Sequence, residues 1–207
     1  MEEGRTAPGT ATVTTLTVGD CPAANYTDVP LTAWYHDYVD AVLAKGLMQG
    51  VNAAKTQFAP AAGTTRAMLV TTLYRLAGAP EVTTTSSFTD VAEDTWYAEA
   101  VAWAQENGIV NGVSATAFAP NALVTREQAA TILYRYVTVW MQQEPAAGTE
   151  LSGYNDAGRI SAYARDAVAW ATAEGFFQGF PDGSFQPGGT LTRAQTAKLL
   201  ALLDAAL

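Results

Sequence analysis

The sequence predicts an all-α protein made of three helix-loop-helix repeats, and three observations carry that expectation. A Phe-x-Pro loop leading to a Thr-Arg pair occurs three times: Phe58-Ala59-Pro60 to Thr65-Arg66, Phe118-Ala119-Pro120 to Thr125-Arg126, and Phe185-Gln186-Pro187 to Thr192-Arg193. In each copy the Arg lies eight residues after the Phe, and recurrence at fixed spacing marks a repeat protein. Apolar residues at spacings of three and four precede and follow each phrase, which is the period of a half-buried helix. Glycine ends the first helical segment and threonine opens the second, and these are ordinary helix punctuation.

Residues 1–25 are rich in Thr, Ala and Gly and read as a leader or linker, with a short Val/Thr/Leu alternation from Val13 to Val18 that fits a strand or a linker. The repeats follow at residues 26–80, 88–142 and 154–204, expected to form one folded unit, with linkers near Gly78–Ser87 and Pro145–Gly153. Repeat one opens Tyr26-Thr27-Asp28-Val29 and reaches Trp34-Tyr35 six residues after the Asp. Repeat two opens Phe88-Thr89-Asp90-Val91 and reaches Trp96-Tyr97 at the same spacing. Repeat three has Tyr154-Asn155-Asp156, one extra loop residue, and Tyr163 where the Trp stands elsewhere.

The first helix of each unit is expected near 35–45, 97–107 and 163–174, stopped by Gly46, Gly108 and Gly175, which take positive φ without strain. A second glycine follows four residues later in every copy, at Gly50, Gly112 and Gly179. Thr125 with Gln128, and Thr192 with Gln195, fit a capping box, whereas Thr65 faces Met68 and caps without a reciprocal partner. The second helices carry Leu69, Leu73 and Leu76; Ala129, Ile132, Leu133, Tyr136 and Trp140; and Leu199, Leu200 and Leu203. No single two-helix unit can bury such a stripe, but three packed together can share one core.

At 207 residues and 49% hydrophobic, the chain can bury a core, and no apolar run approaches the ~20 residues that cross a bilayer, so membrane insertion is not expected. Net charge is −9 with no basic stripe, which argues against nucleic acid and leaves any anionic ligand to local donors. Cys21 is the single cysteine and His36 the single histidine, so neither a disulfide nor a clustered metal site is expected. The start Met1-Glu2-Glu3-Gly4-Arg5 lacks a secretory pattern, and the chain is read as a piece of a longer protein.

Phe-Thr-Asp-Val, Trp-Tyr, Ala-Val-Ala-Trp-Ala, Gly-x-x-x-Gly, Phe-x-Pro and Thr-Arg-Glu together resemble the S-layer homology (SLH) domain, in three tandem copies over roughly residues 26–204. The resemblance implies a pseudo-threefold unit around a central bundle of the second helices. It also implies a bacterial cell-surface location, in Gram-positive and related bacteria, and a monomeric pseudo-trimer. The implied ligand is a secondary cell-wall polysaccharide, held between repeats through a pyruvylated N-acetylmannosamine, with a cargo domain and signal peptide elsewhere in the protein. The family phrase Thr-Arg-Ala-Glu reads Thr65-Arg66-Ala67-Met68, Thr125-Arg126-Glu127-Gln128 and Thr192-Arg193-Ala194-Gln195 here, so Thr and Arg match throughout and the last Glu is absent throughout.

A ketal-linked pyruvate presents a carboxylate, and a guanidinium at a helix start suits it, being a planar pair of donors beside free amides and the positive dipole end. Arg66, Arg126 and Arg193 are therefore the first ligand-binding candidates; each could instead brace a neighbouring loop. Asp28, Asp90 and Asp156 either accept from sugar groups or cap the loop that enters the first helix. Trp34, Trp96 and Tyr163 either stack on a pyranose ring or belong to the core, where Trp103 and Trp170 are expected. Gly50, Gly112 and Gly179 either admit a ligand to the backbone or answer to loop geometry, and Arg75 and Arg135 read as helix-surface charges.

The leading function is a non-catalytic wall anchor without cofactor or metal. The alternative is a protein-protein interaction module on the same scaffold with decayed glycan sites, a possibility kept open by the missing Glu. A glycosidase would need two carboxylates at a set separation, and no pair stands out. Asp182-Gly183-Ser184 is a turn, without the alternating ligands of a calcium loop.

Overall fold

The computed structural model describes residues 21–206, in which the helices are α1 (His36–Ala44), α2 (Arg66–Leu76), α3 (Ala98–Glu106), α4 (Arg126–Arg135), α5 (Arg165–Ala173) and α6 (Arg193–Ala206). Among the described residues there is no β-strand, so the chain is all-helical as expected. The alternation from Val13 to Val18 lies outside the described residues. Residues Pro22–Asn25, read as the end of the leader, form a short 3-10 turn whose Ala23 amide donates to the buried Asp40 of α1.

Helix ends follow the predicted chemistry. Gly46, Gly108 and Gly175 stand just past the first helices at φ of 68°, 69° and 75°, the left-handed region that only glycine enters cheaply. The amides of Met68, Gln128 and Gln195 donate to the hydroxyls of Thr65, Thr125 and Thr192. Gln128 and Gln195 reach back to the amides of Thr125 and Thr192 and complete the boxes, while Met68 has no such group. α4 ends in a wider turn, Tyr136–Trp140, which keeps Tyr136 and Val137 buried.

The packing pairs helices across repeats. The first helix of each unit lies against the second helix of the preceding one: α3 on α2, α5 on α4, and α1 on α6. Linkers are tied down accordingly, with Ser86 and Ser87 bonded to Gln105 of α3, and Thr149 to the Ala169 carbonyl of α5. Where the second helices begin, three backbone hydrogen bonds form a ring: Thr64 donates to Leu191, Leu191 to Val124, and Val124 to Thr64. Repeats one to three thus interlock in a closed cycle, which is how three insufficient stripes come to share one core containing Leu69, Leu73, Leu133, Leu200 and Leu203. Trp103 and Trp170 are buried in that core, as predicted. Cys21 is a free thiol beside His36, with Sγ 3.3 Å from Nε2; burial first, and then Asp40, push its pKa up.

Candidate functional site

Each Phe-x-Pro loop is shaped by the aspartate that opens its repeat. Asp28 accepts from the amides of Phe58 and Ala59 at 2.8 and 2.6 Å, Asp90 from Phe118 and Ala119 at 2.8 and 2.7 Å, and Asp156 from Phe185 and Gln186 at 2.7 and 2.8 Å. The middle residue of every loop, Ala59, Ala119 or Gln186, is held at φ near 56°, a conformation that non-glycine residues resist. Both carboxylate oxygens are therefore spent on the strained turn. Partial burial raises the Asp90 pKa, but the two amides and Arg66 outweigh it and hold the carboxyl below its usual value.

These loops dock on the next element in the cycle. The amides of Arg66 and Ala67 donate to the carbonyls of Ala122 and Pro120, those of Arg126 and Glu127 to Gly189 and Pro187, and those of Arg193 and Ala194 to Ala62 and Pro60. With the third amide taken by the cap threonine, the start of each second helix has no free amide for an external anion. Contrary to the expectation from the sequence, an anion cannot use these helix starts, because a neighbouring repeat occupies that place.

The guanidinium groups remain. Arg66 Nε donates to the Phe118 carbonyl at 2.7 Å, Arg126 Nε to Phe185 at 2.8 Å, and Arg193 Nε to Phe58 at 2.7 Å, each lying over the ring of the same Phe at 4.6–4.7 Å. Nη2 of Arg126 reaches the Gln178 carbonyl at 2.8 Å and Nη2 of Arg193 the Gln49 carbonyl at 2.6 Å. Arg66 differs: its Nη1 makes a long 3.4 Å contact with the Gln128 side chain. The three residues are only 5–6% exposed, and burial lowers their pKa values, to about 10 for Arg126. All three brace inter-repeat loops, and each keeps three of its five N–H donors for another acceptor.

Two of the arginines line grooves to which all three repeats contribute. Arg126 of repeat two meets Gln178, Phe180 and Lys198 of repeat three and Trp34 of repeat one around a cavity of about 170 Å³. Arg66 of repeat one meets Asn111, Gly112, Gln128 and Arg135 of repeat two and Tyr163 of repeat three around about 430 Å³. The aromatic thus comes from the repeat two steps along the cycle from the one that supplies the arginine. Trp34, Trp96 and Tyr163 are 60%, 62% and 56% exposed, so none of them is a core residue.

The second glycines have an internal reason. A Cβ on Gly50 would sit 2.7 Å from the Tyr26 ring, on Gly112 2.6 Å from the Phe88 ring, and on Gly179 2.6 Å from the Tyr154 ring. They let the aromatic at each repeat's opening pack against the loop, and Gly112 also lines the Arg66 groove.

Four residues in or beside the grooves stand outside the candidates that the sequence offers: Gln128 reads there as a capping residue and Arg135 as a helix-surface charge, and Lys198 and Glu127 carry no assigned role. Gln128, Thr131, Ile132 and Arg135 form the groove-lining face of α4, a face legible as i, i+3, i+4, i+7 spacing. Arg75, at the matching place in α2, is no free surface charge, since it donates to the Leu47 carbonyl at 3.0 Å. Glu127 accepts from the Ser161 amide and hydroxyl and from the Tyr163 hydroxyl, so it sets the aromatic of the larger groove.

The chain is similar to an endoglucanase of Bacillus sp. (strain KSM-635), 33% identical over 86% of this chain but only 18% of that protein. It is 31% identical to the surface-layer 125 kDa protein of Lysinibacillus sphaericus over 81% of this chain and 14% of that one. A cellulosome-anchoring protein of Acetivibrio thermocellus is 24% identical over 69% of this chain and 32% of its own length. The chain therefore spans a minor part of each of these relatives. The family model for the S-layer homology domain matches residues 25–67, 87–130 and 153–197, and with these three matches in tandem the chain belongs to the S-layer homology domain family.

Proposed function

We propose that the chain is a non-catalytic anchoring module of the bacterial cell surface that binds secondary cell-wall polysaccharide in the grooves between its repeats. In this reading a pyruvylated N-acetylmannosamine places its carboxylate against the spare N–H groups of the phased arginine, and the exposed aromatic covers a face of the sugar. The three repeats work as one unit, because each groove draws on all of them. The observation that carries the proposal is the meeting of buried, loop-braced Arg126 with exposed Trp34 in one groove. A large aromatic left 60% exposed beside a pre-positioned guanidinium gives little to the core and suits a ligand with an apolar face and a negative group.

Asp28, Asp90, Asp156, Gly50, Gly112 and Gly179 act by shaping the loops. The matched relatives support the reading, since proteins named as an endoglucanase, a surface-layer protein and an anchoring protein share this segment and most of their length lies outside it.

The test is binding to purified wall polysaccharide, before and after removal of pyruvyl groups, by the parent and by Trp34→Ala, Trp96→Ala and Tyr163→Ala. Stability is expected to stay within ~0.5 kcal/mol, since the rings are exposed. Affinity should fall about tenfold per groove that loses its aromatic. Binding that survives depyruvylation undiminished would remove the carboxylate from the mechanism. Failure of the parent to bind at all would leave the protein-interaction alternative.

A further inference from the structure

The groove around Arg66 is built differently from the others. It is the larger of the two described, and it holds a second guanidinium, that of Arg135. Arg135 makes no hydrogen bond among the described residues, whereas Arg75 at the same register of α2 is taken by the Leu47 carbonyl and α6 carries Leu202 there. Arg66 itself makes no bond to the Asn111 carbonyl, the contact corresponding to those of Arg126 with Gln178 and Arg193 with Gln49, and holds only the long contact to Gln128 in its place.

Gln128, which touches Arg66, and Arg135 lie on one face of α4 seven residues apart, so they stand about 10 Å apart along the helix. That length accommodates two linked pyranose rings. In a chain of net charge −9, two guanidinium groups lining one groove favour a ligand with two negative groups, whereas the Arg126 groove pairs its arginine with Lys198. Of the acids beside these cations, Glu127 is occupied by Ser161 and Tyr163, and Asp90, whose charge acts on Arg66, is held by the Phe118 and Ala119 amides.

Resting on the glycan reading above, we propose that the Arg66 groove binds a diacidic disaccharide stretch, with one acidic group at Arg66 and the acidic group of the adjoining unit at Arg135. Arg135 is then the residue that selects consecutively acidified glycan over a single acidic terminus.

The experiment measures, by calorimetry on the whole chain, the affinity for a singly pyruvylated monosaccharide and for a disaccharide pyruvylated on both units. Variants are Arg135→Leu, which copies the residue α6 carries at this register, Arg135→Gln, and Arg75→Leu as control. The parent and Arg75→Leu should prefer the disaccharide. Both Arg135 variants should lose about tenfold toward it while binding the monosaccharide as before. Disaccharide binding unchanged in a folded Arg135 variant would overturn the inference, as would a parent that binds both probes equally, and in either case the glycan reading would stand. A parent that binds neither probe would overturn both.

Discussion

Replacing Arg126 by alanine separates bracing from ligand recognition. The change leaves the Phe185 and Gln178 carbonyls without their charged donor and removes a cation lying 4.6–5.0 Å from the rings of Phe177, Phe180 and Phe185. A buried hydrogen bond to a charged group contributes about 1.5–3 kcal/mol, and a desolvated cation-π contact about 1–2. Relief of the desolvation cost of the charge offsets part of that sum. The net expectation is a loss of about 3–4 kcal/mol, a large share of the 5–15 kcal/mol typical of a domain. Urea unfolding followed by circular dichroism should show a lower midpoint at unchanged m. Arg126→Lys keeps the charge but cannot span both carbonyls, and should fall between the parent and alanine. A loss below about 1 kcal/mol for Arg126→Ala would refute the bracing argument and return the side chain to a ligand role alone.

Gly179→Ala should cost about 1–3 kcal/mol, because the new Cβ meets the Tyr154 ring at 2.6 Å and the Ser184 carbonyl at 3.2 Å, whereas Gly153→Ala, with nothing within 4 Å, should change little in the same unfolding assay. Burial, with a smaller push from the Asp204 charge, raises the Tyr136 pKa to about 12 from 10, so the folded protein holds this proton where the unfolded chain has lost it. Its contribution is complete below pH 10 and is lost as pH rises toward 12. Burial of Arg126 works the other way, since its pKa falls to about 10 and the folded state releases a proton that the unfolded chain keeps. Tyr136→Phe should therefore show a shallower alkaline loss of stability than the parent, and identical alkaline limbs would contradict the assignment.

What could be read in the sequence was whatever depends on neighbours a few residues away. Thr65, Thr125 and Thr192 cap, Gln128 and Gln195 close the boxes, and Gly46, Gly108 and Gly175 end helices, because each interaction spans at most four residues. The phased arginines were legible as well, since recurrence marked them whatever their role.

The site was less legible, because the arginines and their partners lie 52 to 144 positions apart. Arg66 meets the Phe118 carbonyl and Arg193 the Phe58 carbonyl, contacts set by the closed cycle of repeats. That cycle also decides that docked loops fill the helix starts, that Trp34 stands beside Arg126, and that Arg135 faces a groove while Arg75 is bound to a carbonyl. The sequence by itself determined the helices, their ends and the three equivalent positions. Only the tertiary structure decided which copies meet and how they differ, because a stripe that no single unit can bury is satisfied by whichever repeat packs against it.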